Sequence, residues 1–137
     1  MRWFFFVYFC DMNSNLNGVS AELKFCVECL RRGILPSLPI SPHSRYDVVV
    51  DDGNKFYKIQ VKSNFKDIKE DQKSFKVNLT TKSNGYSQEE VDFFAVYIHY
   101  YDGFFIIKNI GEMRTIRLNL VGKNRHYFNK FDFHSFE

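Results

Sequence analysis

Two neighbouring β-rich segments of the sequence carry a carboxylate, an amide and an amine at positions that could bring them together. Asp47 opens the first segment, and Gln60 and Lys62 flank Val61 near the end of the second. The turn signal 51–54 separates the segments, which are therefore predicted to form a β-hairpin. If a phosphodiester is the substrate, the side-chain oxygens and the Val61 carbonyl suit a divalent cation. The amine would then orient water or stabilise charge developing on phosphorus.

The geometry of a hairpin places the three side chains on one face. A two-residue turn at Asp52-Gly53 sets Asp47 opposite Lys58 and diagonal to Gln60. Because side chains alternate along a strand, Lys62 shares that face. A slip of one residue would separate them, so the prediction depends on the register.

An upstream helix offers a second carboxylate. Apolar residues at three- and four-residue steps predict a helix from Gly18 to about Arg32, with Gly33 as its stop. The predicted buried stripe consists of Val19, Leu23, Cys26, Val27 and Leu30. Glu22 lies near the first turn, beside this stripe. The helix dipole alone favours an acid there, but Glu22 is also placed to reach the hairpin site, directly or through a water.

The remaining pattern predicts a mixed α/β or α+β chain of one domain, 1–137. Residues 34–42 are broken by proline and are predicted to be an extended connector. Further strands are predicted at Phe75–Leu79, Phe93–Tyr101, Phe104–Lys108 and Thr115–Leu120. Ser87 is expected to cap a short helical turn, and Asp92 is expected to be structural. Residues 1–17 are interpreted as an extension, and 121–137 as a basic, aromatic tail.

Composition limits the classes of function. The formal net charge of +3 neither demands nor opposes a nucleic-acid partner. Basic residues recur over 55–82 and 114–130, either as solvated surface or as a stripe facing phosphates. Sixteen Phe and eight Tyr are expected mainly to fill the core, while some rings could stack on bases.

Cysteine usage and hydropathy indicate a cytoplasmic or other intracellular reducing compartment. Cys26 and Cys29 lie on the predicted helix, and a zinc site there would need His43 or another distant ligand, so buried thiols are expected. The apolar run Trp3–Cys10 is too short to span a membrane. Its bulky aromatics and lack of a small-residue cleavage site suit a strand better than a signal peptide.

The order of these residues resembles the PD-(D/E)xK nuclease superfamily. It is most similar to the small branch that holds a cyanobacterial group I intron homing endonuclease and relatives of archaeal Holliday junction resolvases. The resemblance rests on the helical Glu22, the step Tyr46-Asp47 and the motif Gln60-Val61-Lys62. The stretch Tyr86–Tyr97, in which an Asp opens a strand, extends it, and together it covers roughly Gly18 to Ile107.

The resemblance implies a restriction-endonuclease-like core, in which a mixed β-sheet is flanked by helices. It also implies magnesium-dependent DNA cleavage, with Mn²⁺ as an alternative ion, that leaves 5′-phosphate and 3′-hydroxyl ends. Its catalytic residues would be Glu22, Asp47, Gln60 and Lys62, and its metal ligands Asp47, Gln60, Val61 and Glu22. Ser44, Arg45 and Lys66 flank this site and are predicted to bind DNA phosphates. A homo-oligomer, dimer or tetramer, is expected, because a single-site chain needs a second copy to cut both strands.

Two departures from the superfamily pattern keep alternatives open. Tyr46 stands where the superfamily has proline, and the neutral Gln60 stands where it has a second carboxylate. The second hypothesis is therefore a catalytically inactive nucleic-acid-binding module on the same fold. A third is a protein-interaction domain, in which Phe131, Phe133 and Phe136 of the tail pack on a partner.

Overall fold

The structure, a computed structural model, describes residues 13–81 and 84–136, and its larger sheet is built around the predicted hairpin. One α-helix of the described residues, α1, spans Asn13–Arg31. The strands are β1 (Leu35–Ser37), β2 (Val48–Asp51), β3 (Phe56–Asn64), β4 (Phe75–Asn78), β5 (Phe93–Ile98), β6 (Gly103–Lys108) and β7 (Thr115–Leu118). A short 3₁₀ turn lies between β5 and β6 at His99–Tyr101, and two more follow β7 at Arg125–Tyr127 and Phe133–Phe136. The predicted strand-like run Trp3–Cys10 lies outside the described residues.

The five-stranded sheet is mixed, as predicted. Its strand order is β1-β2-β3-β5-β6. β3 and β5 are parallel, and the other neighbours are antiparallel. α1 covers one face of this sheet, and β4 and β7 form a separate antiparallel pair over the other face. The two faces therefore enclose two apolar cores on opposite sides of the hairpin.

α1 begins earlier than predicted but ends where expected. It starts at Asn13 rather than Gly18. Gly33 has a φ of +76°, the Ile34 N–H donates to the Cys29 carbonyl at 2.9 Å, and the Gly33 N–H donates to the Leu30 carbonyl at 3.1 Å. This pair of bonds is a Schellman motif, so the predicted glycine stop is confirmed.

The buried face of α1 is not the predicted one. Four members of the predicted stripe are between 52% and 58% exposed: Val19, Leu23, Val27 and Leu30. The adjacent line of Ala21, Phe25 and Cys29 is buried instead, and Phe25 contacts the rings of Phe104 and Phe131 at centroid distances of 5.6 Å. The sheet face already carries bulky aromatics, so a line with one ring between two small residues packs more closely against it.

The hairpin is confirmed, but its register differs from the prediction by two residues. Asp51 pairs with Phe56 rather than with Asn54. The Asp52 carboxylate accepts the N–H groups of Asn54 and Lys55, both at 2.9 Å, and thereby holds a wider turn. Because the shift is even, the predicted division of β3 into two faces is retained.

The connector before the hairpin contains structure that the prediction missed. β1 pairs with β2 and places Pro36 opposite Val50 at the edge of the sheet. Proline is tolerated there because an edge strand can leave one N–H position unpaired. Downstream, β5 ends at Ile98 rather than Tyr101, and the Ser87 hydroxyl accepts the Glu90 N–H at 3.3 Å as a turn cap.

The aromatic tail folds back onto its own chain. Phe131 is 4% exposed and Phe133 is fully buried, both in the core beneath α1. Phe136 is half-buried against Phe93. The hypothesis that these rings form a surface for a partner therefore fails for Phe131 and Phe133.

The two described cysteines are not reactive thiols, and the described helix is not a membrane span. Cys29 is buried, which raises its pKa to about 12, and burial also raises the pKa of the half-buried Cys26. Both are free thiols. Within 13–81 and 84–136, no helix is sufficiently long and apolar to cross a membrane.

Candidate active site

Asp47 lies immediately before β2, at the point where regular pairing with β3 begins. Its backbone N–H donates to the Ile59 carbonyl at 2.8 Å. Its carboxylate Oδ2 accepts the Val61 N–H at 2.9 Å. These two bonds bracket Gln60, so Asp47 and Gln60 are neighbours across the strand pair. The carboxylate therefore occupies a notch where the sheet loses one strand.

Lys58 is not the partner of Asp47, and this part of the prediction is wrong. The shifted register places Lys58 opposite Val49. Its Nζ donates to the Glu89 carbonyl, while its backbone N–H donates to the Asp92 carboxylate at 2.7 Å. Asp92 thus fastens the start of β5 to β3.

Gln60 and Lys62 project from β3 on the face opposite α1. They pair in parallel with Phe94 and Val96, whose side chains lie in the core beneath β4 and β7. Both polar residues are half-buried. The Lys62 Nζ donates to the Thr80 carbonyl at 3.3 Å, which directs the amine along the sheet surface.

Glu22 approaches the notch from the other side of the sheet. α1 packs on the face formed by Val48, Ile59 and Val61, and Glu22 is half-buried on this helix. Burial raises the pKa of Glu22, and the negative charge of Asp47 raises it further. Two carboxylates are therefore close enough to repel each other at the notch.

Asp47 itself is held between opposing effects. Burial raises its pKa, whereas the Val61 N–H and the charge of Lys62 lower it. Burial likewise lowers the pKa of Lys62, the negative charge of Asp47 raises it, and the positive charge of Arg45 lowers it. In both Asp47 and Lys62, burial therefore favours the uncharged form, and a bound ligand of opposite charge would favour the charged form.

The donor set fits a hard divalent cation. Asp47, Glu22 and Gln60 supply carboxylate and amide oxygens. The Gln60 side chain makes no hydrogen bond to another described residue. Among the described residues no group of three His, Cys, Asp or Glu side chains converges to hold a metal. A metal at this position would therefore need the amide oxygen and the Val61 carbonyl beside the two carboxylates.

The three residues predicted to bind DNA phosphates have different surroundings. The Ser44 hydroxyl donates to the Tyr46 carbonyl at 2.9 Å and so shapes the turn before Asp47. Arg45 is ion-paired, because its Nε lies 2.5 Å from a carboxylate oxygen of Glu90. Lys66 is exposed beyond the end of β3, and its side chain has no ion pair within the described part of the chain.

Tyr86 contacts the candidate site, which the sequence did not predict. The residue is 5% exposed, and two cations contact its ring: the Arg45 guanidinium lies 4.8 Å and the Lys62 Nζ 5.4 Å from the ring centroid. The ring therefore attracts both side chains by cation–π interaction and offsets part of the repulsion that the Arg45 charge exerts on Lys62. The one signal for this role in the sequence is local: an aromatic residue directly follows the turn residues Asn84-Gly85.

Asn109 holds the loop that carries Tyr86. It is 2% exposed, and its Nδ2 donates to the carbonyls of Tyr86, Ser87 and Val91 at 3.2, 3.1 and 2.9 Å. The Gly111 N–H in turn donates to its Oδ1 at 3.0 Å. A single amide just after β6 therefore fixes the backbone on which Tyr86 stands.

Comparisons with known proteins agree with this architecture. A family model described as PD-(D/E)XK endonuclease matches residues 12–136. Three solved chains give significant matches, and one is a bacterial homing endonuclease, I-Ssp6803I. That structure aligns with a TM-score of 0.69 and 21% identity, over 85% of this chain and 88% of the other. No curated protein gives a significant match. The structural match shows a common fold: a mixed sheet with a helix on one face.

Proposed function

Because the chain belongs to the PD-(D/E)XK endonuclease family, we propose that it cuts DNA with a divalent metal ion at the site formed by Asp47, Gln60 and Lys62. The observation that carries this proposal is the position of Asp47, whose two hydrogen bonds to β3 bracket Gln60. Members of this family generally use divalent metals. Mg²⁺ is the ion proposed here, and Mn²⁺ is a substitute with the same preference for oxygen ligands.

The metal would be held by Asp47, Gln60, the Val61 carbonyl and Glu22. When bound, such an ion neutralises charge on the phosphodiester as it is attacked. The Val61 N–H holds one carboxylate oxygen of Asp47, which leaves the other oxygen available to a cation. Glu22 adds the second negative charge that Gln60 does not supply. A cation would relieve the repulsion between Glu22 and Asp47 that raises the pKa of Glu22.

Lys62 is proposed to stabilise the negative charge that develops on the phosphoryl oxygens. The Thr80 carbonyl and the Tyr86 ring restrain its amine, so little reorganisation is needed during the reaction. Its partial burial excludes water around the charge and strengthens the interaction. Lys66 and Arg45 are proposed to hold flanking phosphates. Arg45 would do so by exchanging its ion pair with Glu90 for one with a phosphate. Ser44 would shape the turn that carries Arg45.

The second candidate function is DNA binding without cleavage, and the neutral Gln60 is the observation that favours it. Loss of one anion weakens a metal site. Cleavage assays on plasmid and four-way junction DNA with Mg²⁺ separate the two functions, because only an active enzyme would cut either substrate. We expect activity in the wild type and at least a 100-fold loss in Asp47→Ala and Lys62→Ala. Salt-sensitive binding without cleavage in all three would support the inactive module.

A homo-oligomer is also proposed, with α1 as its contact. The exposed apolar stripe of α1 is symmetric about its centre in sequence, with members four and seven residues to either side of Leu23. These members are Leu16, Val19, Leu23, Val27 and Leu30. Two antiparallel copies related by a twofold axis at Leu23 would therefore pair leucine with leucine and valine with valine. Such a stripe is otherwise an unfavourable surface for a helix.

Sedimentation of the full chain tests this contact. Leu23→Glu should convert the oligomer into a smaller species. Ile110→Glu is the matched control, because Ile110 is 71% exposed and lies off α1. If both variants sediment like the wild type, the stripe is not the contact, and if the wild type is a monomer, the proposed oligomer is wrong.

A further inference from the structure

The pair formed by β4 and β7 presents a polar face that the site described above does not use. The inner residues Phe75, Val77 and Leu118 are buried in the second core. The alternate positions therefore point away from the main sheet. These outer residues are Lys76, Asn78, Thr115 and Arg117, and all four are exposed.

The outer face carries a charge arrangement that is unfavourable in the free protein. Lys76 lies directly opposite Arg117 in the antiparallel register. Like charges in that position destabilise a strand pair. Neither side chain has an ion pair with an acid in the described parts of the chain. An anionic ligand laid across both strands would remove this repulsion.

The neighbouring pair on the same face is made of hydrogen-bonding groups. Asn78 lies opposite Thr115. The Asn78 Oδ1 accepts the backbone N–H and the hydroxyl of Thr80, at 2.9 and 2.6 Å, so the amide is held in one orientation. Its NH₂ group makes no hydrogen bond to another described residue and remains a donor for an external acceptor.

The strand pair is connected to the candidate active site. The Asn64 Nδ2 donates to the Lys76 carbonyl at 3.4 Å, and the Lys62 Nζ donates to the Thr80 carbonyl at 3.3 Å. β3 therefore carries Gln60 and Lys62 and also bonds to β4 and to the residues just after it. The strand pair covers the same side of the sheet as these two residues.

We infer that the outer face of β4 and β7 reads base edges in the major groove of duplex DNA. This inference rests on the proposed function and adds the element that selects the sequence. A major groove about 12 Å wide admits a two-stranded ribbon. Lysine and arginine suit the guanine N7 and O6 acceptors, the Asn78 NH₂ suits any major-groove acceptor, and the Thr115 methyl suits a thymine methyl.

Selection from a randomised library of synthetic duplexes tests the assignment. The full-length wild type is compared with Lys76→Ala/Arg117→Ala. The control is Lys69→Ala/Lys123→Ala, which removes the same charge from two exposed residues outside the strand pair. In the β4–β7 variant, discrimination should fall about 10-fold or more at the base pairs it contacts. In the control, affinity should fall similarly for all sequences, and the selected sequence should be that of the wild type.

Thermal melts of the same proteins separate a reading role from a structural one. Because the variant removes like-charge repulsion, its Tm should equal or exceed that of the wild type. A β4–β7 variant that folds, binds and selects the wild-type sequence would overturn the inference, as would a marked drop in its Tm accompanied by loss of all binding. A wild type that neither enriches nor cuts any duplex would be a different result, since it would refute the proposed function itself.

Discussion

Replacing Gln60 by glutamate tests the site most directly, because it adds a third carboxylate opposite Asp47, which already interacts with the charge of Glu22. Side chains on adjacent strands lie about 5 Å apart. At that distance two charges in an environment of effective dielectric about 20 interact by roughly 3 kcal/mol. All three residues are half-buried, so solvent screening reduces this to about 1–2 kcal/mol. Without metal, Gln60→Glu should therefore lower the Tm by about 3–8 °C.

Divalent metal should reverse that loss. Binding at 100 times the dissociation constant stabilises the folded state by about 2.7 kcal/mol. We therefore expect Mg²⁺ to raise the Tm of Gln60→Glu by more than it raises that of the wild type, and cleavage to increase if Gln60 limits metal affinity. The assay is thermal unfolding in EDTA and in a series of Mg²⁺ concentrations, followed by plasmid cleavage under the same conditions.

Asn64→Asp is the matched control, since it makes the same amide-to-acid change on the same face of β3. It lies two strand repeats from Gln60 and next to the Lys76 carbonyl, away from Asp47 and Glu22. Its Tm should not acquire a comparable dependence on Mg²⁺. If Gln60→Glu is as stable as the wild type in EDTA and both respond equally to Mg²⁺, the three side chains do not form one site.

Three further measurements test particular contacts. The pKa of Glu22 is raised in the folded state, so ionisation of this side chain destabilises the fold. The destabilisation sets in as the pH rises above the unfolded pKa of about 4.3. Glu22→Gln should therefore raise the Tm at pH 7 but not at pH 3, and a lower Tm at pH 7 would contradict the repulsion. Phe25→Ala should cost about 3–5 kcal/mol in urea unfolding at any protein concentration. The loss of unfolding free energy in Leu23→Ala should grow with protein concentration. If both variants instead lose the same free energy at every concentration, the originally predicted stripe is buried after all. Asn109→Ala should cost about 2–3 kcal/mol and speed amide exchange around Tyr86, whereas unchanged exchange there would show that the loop is held by other contacts.

The hairpin and the facing of its polar residues could be predicted because they depend on a period of two. That period survives any even error in register, so Gln60 and Lys62 were assigned to one face although the turn was two residues wider than expected. The width itself depends on the Asp52 carboxylate, which accepts two backbone N–H groups. The sequence contains that aspartate, but competing turns of two and four residues have similar signals.

The face of α1 could not be predicted in the same way. The helix has two adjacent apolar lines, and periodicity alone gave the line with larger aliphatic residues to the core. The core contains Phe104 and Phe131 at this position, which come from distant parts of the chain. Only after those rings are placed does the line with Ala21 and Cys29 become the better fit, so the choice is a tertiary one.

Tyr86 and Asn109 were missed as supports for a related reason. Each acts through partners more than 15 residues away: Tyr86 contacts Arg45 and Lys62, and Asn109 bonds to carbonyls of the 86–91 loop. Nothing in the local sequence distinguishes a buried asparagine that satisfies three carbonyls from a solvated asparagine in a turn. Such residues become visible only when the topology brings β6 beside the loop.

The position of Asp47 is specified by main-chain groups rather than by neighbouring side chains. Its partners are the Ile59 carbonyl and the Val61 N–H, which every non-proline residue provides. Strand-forming replacements at these two positions should therefore change the packing beneath α1 without relocating the carboxylate. Proline at Val61, which has no N–H, would release it. The chemical centre is thus largely insulated from drift in the surrounding core, and a lineage could exchange much of its apolar interior while the carboxylate stays at the same point of the backbone.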